Sequence, residues 1–189
     1  MKLVCLSFLL FFISILGVAQ IEKSYLLGQF DPKTDSRFVA IDDAISDGGA
    51  RGGMLRRETY EAFKKMAEAA KKDGVALTII SATRNFEAQK RIWENKWEGK
   101  VKVEGKDLTT VKNTSERARL ILLYSSMPGT SRHHWGTDMD LNDLNNEYFE
   151  RDEGLKIYQW LQENAASYGF CQPYTSKKDG KRTGYEEEK

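Results

Sequence analysis

Ser131-Arg132-His133-His134-Trp135-Gly136-Thr137-Asp138-Met139-Asp140 is the stretch on which the reading of this chain turns. It holds both histidines of the protein, two aspartates and a glycine. Imidazole and carboxylate side by side suit a borderline metal such as zinc. Gly136 permits a sharp turn. Beyond it, Thr137 to Leu141 alternates polar and apolar residues, and period two puts Asp138 and Asp140 on one face of a short strand. His133 precedes Asp140 by too many residues for one helical turn, but a loop folding back onto the strand brings the two together. The plain alternative is a polar loop with two solvated histidines.

Upstream, Val75 to Ile80 is a β-branched and aliphatic run that reads as a buried strand. It delivers Ser81-Ala82-Thr83-Arg84-Asn85-Phe86-Glu87-Ala88-Gln89. An arginine after a strand has a direct chemical use. A peptide carbonyl gains negative charge as water adds to it, and a fixed guanidinium stabilises that charge. The plain alternative is a surface arginine capping a loop.

The remaining chain supplies a scaffold. Residues 20–50 read as an extended N-terminal arm with a short strand or helical turn, closed by Arg51-Gly52-Gly53. Met54 to Lys72 repeats Tyr60, Phe63, Ala67 and Ala70 at helical spacing, and Gly74 follows as a C-terminal cap. Phe86 to Trp97 continues as a helix, with Ile92 and Trp93 toward the core. Glu98 to Lys112 is a charged loop or hairpin. Asn113 with Glu116 starts a helix over 114–126, and Pro128-Gly129 ends it. Asp152 to Tyr168 is a further helix, striped by Leu155, Tyr158, Leu161, Ala165 and Tyr168. Phe170 to Tyr174 and Arg182 to Glu186 can pair as a hairpin.

Composition sets the bounds. A chain of 189 residues with 40% hydrophobic and 30% charged residues is one globular domain rather than a disordered segment. A net charge of +1 offers no electrostatic case for a nucleic-acid partner. Lys2, the apolar run to Val18 and the small residues before Gln20 read as a signal peptide over residues 1–20, cleaved near Ala19 or Gln20. The run is short of the ~20 residues that span a bilayer, so no stable membrane anchor is expected. The mature domain is then 21–189, expected to be exported and to be a monomer. Cys171 is left as its only cysteine, which excludes an intramolecular disulfide, and it is expected as a buried small hydrophobe.

The histidine segment resembles the zinc metallopeptidases of peptidoglycan, the VanY-type D-alanyl-D-alanine carboxypeptidases, whose pattern is Ser-x-His-x-x-Gly-x-Ala-x-Asp. Ser131, His133, Gly136 and Asp140 match it, and Asp138 stands where the family has Ala. Their Ser-x-x-Arg-Ser-x-x-x-Gln segment is matched by Ser81, Arg84 and Gln89, with Asn85 in place of Ser. The resemblance covers roughly residues 54–189. It implies an α+β fold, with helices around a small, mainly antiparallel sheet that carries a zinc site. It implies His133 and Asp140 as zinc ligands, Arg84 as the oxyanion stabiliser, and Ser131, Gln89 and Ser81 as substrate-binding residues. His134 is left to outer-shell or packing duty, and Asp138 to an outer shell.

The family also places a third histidine near its C-terminus, with a glutamate general base shortly before it. No histidine follows Asp140 here; were a Trp-His to follow Lys189, Glu188 would fall where the base belongs. The expectation is a fragment lacking its last strand, with a degenerate homologue as the alternative. The function expected is zinc-dependent cleavage of peptidoglycan stem peptides, as a D-Ala-D-Ala carboxypeptidase that releases the terminal D-alanine. The rival reading is a non-catalytic relative that binds peptidoglycan or a metal.

Overall fold

The computed structural model describes residues 21–174. The expected leader, Arg182 to Glu186 of the expected hairpin, and Glu188 lie outside the described residues. In chain order the main elements are α1 (Lys23–Leu26), β1 (Phe38–Ala40), β2 (Met54–Arg56), α2 (Arg57–Lys72) and β3 (Ile79–Ser81). They continue with α3 (Phe86–Trp97), α4 (Thr114–Leu122), β4 (Asp140–Leu141) and α5 (Asp152–Asn164). β1 pairs with β2 and β3 with β4, both antiparallel, so the sheet content is two short two-stranded ladders among helices. This is the expected α+β arrangement.

Helix α2 is the centre of the core. Tyr60, Phe63, Met66 and Ala70 recur every three or four residues and are buried. They pack with Leu55, Val75, Leu77 and Ile79, and with Phe149, Ile157 and Trp160 from the C-terminal part of the chain. Asp73 at the end of α2 accepts a hydrogen bond of 2.8 Å from the Trp160 indole, which fixes α5 to α2. A second cluster, Val103, Leu108 and Ile121, sits under the charged loop between α3 and α4. The asparagines that open α3 and α4 act as read: Asn85 accepts from the Ala88 N–H and Asn113 from the Glu116 N–H.

Several sequence readings need correction. Met54–Arg56 belongs to strand β2 and not to the helix, because Leu55 is fully buried in the ladder opposite Val39. The strand expected over Val75–Ile80 forms only at Ile79–Ser81; Val75 and Leu77 are buried without ladder partners. Helix α4 ends at Leu122, short of the expected 126. Ile92 and Trp93 are half-buried, and Gln89 is the buried residue of α3. Leu155 is exposed, since α5 turns Gly154, Ile157 and Trp160 inward; Gly154 lies directly against the Tyr148 carbonyl. Cys171 is exposed, in the segment that leaves the helical region after Gly169 and runs along a cleft rim. Among the described residues no helix is long and apolar enough to cross a membrane.

Candidate active site

Two backbone devices assemble the site. The β3–β4 ladder places Ser81 opposite Asp140, with an irregularity between Ile79 and Ser81. Arg132–Trp135 forms a single 3-10 turn, and Gly136 follows it with φ of 72°. A side chain at Gly136 would collide with the Phe38 ring. The Gly136 carbonyl accepts from the Arg56 N–H at 3.0 Å, so the turn is seated on the β1–β2 ladder. Position 136 therefore requires glycine for both conformation and space.

His133 is 6% exposed, and its Nδ1 lies 2.9 Å from the Ala82 carbonyl. A carbonyl only accepts, so Nδ1 carries a proton and donates. Nε2 then points at two carboxylates, 3.5 Å from Asp140 Oδ2 and 3.6 Å from Asp138 Oδ2. A nitrogen lone pair facing anionic oxygens requires a positive charge between them, either a proton or a metal ion. Two ligands at ~2.0–2.2 Å from one tetrahedral ion stand about 3.3–3.6 Å apart, the spacing found here. An imidazole anchored through its other nitrogen to a backbone carbonyl is the usual arrangement of a metal-ligating histidine. The donor set thus fits zinc. His133 and Asp140 face each other at that spacing, and Asp138 stands at a similar distance from His133. The other oxygen of Asp138 is 3.3 Å from Arg132 Nε. Among the described residues no group of three or more His, Cys, Asp or Glu is arranged to hold a metal.

The electrostatics favour an ionised Asp140. Burial acts to raise its carboxyl. The hydrogen bond and charge of His133, the Arg84 charge and a Ser81 hydrogen bond outweigh burial and hold it below the usual range. Burial pushes His134 below its ordinary value, and the nearby Arg84 and His133 charges act the same way against the bond to the Arg84 carbonyl.

A cleft of about 640 Å³ opens in front of these groups. Arg84, Ser131, His133, Asp138 and Asp140 line one wall, and α5 with the segment to Tyr174 lines the other. That volume lies within the range of small-ligand pockets, ~300–1,000 Å³. Among the described residues, buried Arg84 Nε has no hydrogen-bond partner, a donor in need of an acceptor. Ser131 is 2% exposed and lies beside His133. Gln89 and Ser81 do not line the cleft. Gln89 is buried, and its amide donates to the Ser126 carbonyl at 2.7 Å, so it reaches the cleft through Ser126.

The N-terminal arm was missed as part of the site. Tyr25 donates to the Trp135 carbonyl at 2.5 Å, and the Trp135 indole donates to the Leu26 carbonyl at 3.2 Å. The Phe86 N–H donates to the Gly28 carbonyl at 2.7 Å. Nothing in the spacing of residues 21–30 announces contacts more than a hundred positions away.

The family model for VanY, D-alanyl-D-alanine carboxypeptidase, matches residues 52–189. YodJ of Bacillus subtilis (strain 168), named as a carboxypeptidase, is 31% identical over 167 residues, covering 86% of this chain and 54% of YodJ. The chain thus spans about half the length of that relative. The structure of the LdcB LD-carboxypeptidase superposes with a TM-score of 0.59 at 26% identity, covering 85% of this chain and 67% of that one. A variant of the vancomycin-resistance D,D-pentapeptidase VanY in complex with zinc shares the fold, with a TM-score of 0.55 at 23% identity over 75% of this chain and 73% of that one. With the matched region spanning most of the sequence, this chain belongs to the VanY D-alanyl-D-alanine carboxypeptidase family.

Proposed function

We propose that this protein is a zinc-dependent peptidase that trims peptidoglycan stem peptides, as a D-Ala-D-Ala carboxypeptidase that releases the terminal D-alanine. One observation carries the reading: His133, anchored through Nδ1, turns Nε2 toward the Asp138 and Asp140 carboxylates at a spacing that suits a shared cation. The family match and the zinc bound by a relative of the same fold support it.

His133 and Asp140 hold the zinc from this part of the chain. Zinc polarises a carbonyl and lowers the pKa of a bound water toward ~7. Glu188, at the position the family uses, is the proposed proton acceptor for the attacking water. Arg84 supplies a guanidinium where the scissile carbonyl oxygen gains charge, and its unpartnered Nε–H is the donor for that oxygen. In this reading Ser131 donates its hydroxyl to the terminal carboxylate of the peptide. Ser81 steadies Asp140, and Gln89 holds the Ser126 stretch of the cleft wall. Asp138, braced by Arg132, keeps His133 turned toward the metal. The substrate is met outside the cytoplasm, in keeping with the leader read at residues 1–20. The protein acts as a monomer without nucleic-acid or membrane partners.

The test is D-alanine release from a synthetic pentapeptide ending in D-Ala-D-Ala, using the protein as its gene encodes it. Release abolished by chelation and restored by zinc is the expected result. Peptide binding without release, in zinc-replete protein, would establish the rival reading of a non-catalytic binding protein.

A further inference from the structure

We infer that His134 is a positioning residue that holds Arg84 in register with the metal loop. The inference rests on the reading of Arg84 given above. His134 is fully buried and faces away from the cleft. Its Nδ1 lies 2.5 Å from the Arg84 carbonyl, and its Nε2 accepts the Gly129 N–H at 3.0 Å. An acceptor at one nitrogen and a donor at the other fix the ring as the neutral Nδ1–H form. The Arg84 N–H in turn donates to the His133 carbonyl at 3.2 Å. The peptide units on both sides of Arg84 are therefore clamped by the His133-His134 pair, one by backbone and one by the His134 ring.

The clamp bears on the aim of the guanidinium: among the described residues Arg84 Nε is buried without a hydrogen-bond partner, while the backbone on either side of Arg84 is tied to His133 and His134. His134 also spans three segments, since Gly28 of the N-terminal arm lies flat against the ring. A Cβ at Gly28 would come within 2.5 Å of Nδ1, and Gly28 has φ of 70°. The same residue accepts from the Phe86 N–H. The arm, the Arg84 loop and the metal loop therefore meet at one imidazole. Residues 21–51 precede the stretch matched by the family model, so this brace lies partly outside it.

The experiment is a double-mutant cycle on the zinc-loaded full chain, read by kcat and KM on the pentapeptide. His134→Leu keeps bulk and loses both hydrogen bonds; His134→Asn restores a donor at the Nδ1 position. His134→Leu should lower kcat about 30-fold and leave KM within about twofold, the signature of an interaction used in the transition state. His134→Asn should recover to within about fivefold of the parent, and in an Arg84→Ala background His134→Leu should cost less than about twofold more. Equal costs in both backgrounds, or Asn no better than Leu, would overturn the inference in favour of simple packing. Should His134→Leu fail to fold, Gly28→Ala displaces the ring without changing it and carries the same cycle.

A parent protein without hydrolytic activity would refute the peptidase reading alone. Nitrogen-15 spectra of the imidazoles then decide the positioning claim: a neutral His134 protonated at Nδ1 supports it, and a proton on Nε2 overturns it.

Discussion

His133 and His134 are neighbours in the chain and face opposite sides of one 3-10 turn. On the cleft side, His133 looks at Asp138 and Asp140, and among the described residues Arg84 Nε has no acceptor. On the rear side the polar groups of His134 and Trp135 have partners, although among the described residues Arg56 Nε beside the turn does not. Both nitrogens of His134 are bonded, and Tyr25 and the Trp135 indole are tied into the N-terminal arm. A bonded rear makes the turn rigid, and the unsatisfied front is what a metal ion and a peptide carbonyl would complete. The contrast shows which residues to change for chemistry and which for stability.

The largest effect expected of a single substitution that spares the metal is at Arg84. Arg84→Lys keeps the charge and loses the planar fork, so kcat should fall roughly 100-fold, the usual cost of one oxyanion donor. Bound zinc, measured by elemental analysis, should not change. Unaltered kcat would place Arg84 outside the chemistry and dissolve the front side of the comparison.

On the rear, Gly136→Ala forces a side chain into a left-handed position against Phe38. It should cost at least about 1–2 kcal/mol by denaturant unfolding. Tyr25→Phe removes the bond to the Trp135 carbonyl and the contact with Arg56. It should cost about 1 kcal/mol, with kcat changed little. A Tyr25→Phe protein of full stability would mean that the arm only lies on the metal loop.

The smallest effect is in the acid limb of stability. The folded protein holds Asp140 below the ordinary carboxylate range, while the unfolded chain does not. Its contribution is therefore complete above the unfolded value and is lost as pH falls through the lower folded value. Metal-free Asp140→Asn should lose less stability between neutral pH and that window than the parent does. A parallel pH profile for both proteins would remove Asp140 from the charge network.

Much of the front was legible in sequence because it depends on local rules. A turn glycine lets His133 return toward Asp138 and Asp140, although the strand read from Thr137 forms only at Asp140–Leu141 and leaves Asp138 before it. Asn85 and Asn113 announce helix starts through side-chain chemistry that acts over three residues. The rear was hidden because it depends on distance. Leu55 reads as the first turn of α2 until Phe38–Ala40 is known to pair with it. Gly28 is one turn glycine among many until it is found against His134. Leu155 keeps a helical spacing, yet the close approach of Gly154 to Tyr148 rotates α5 and leaves it outside. Cys171 follows the rule for its residue type and is overruled by its place on a cleft rim.

The central claim is that the two adjacent histidines divide the labour, His133 holding metal and His134 holding backbone. Zinc titration by calorimetry of metal-stripped protein, as its gene encodes it, tests this most directly in the parent, His133→Ala and His134→Asn. His133→Ala should weaken binding by more than the roughly 10–100-fold that loss of an outer-shell partner costs, and His134→Asn by less than about tenfold. Zinc affinity that survives His133→Ala and collapses in His134→Asn would contradict the account.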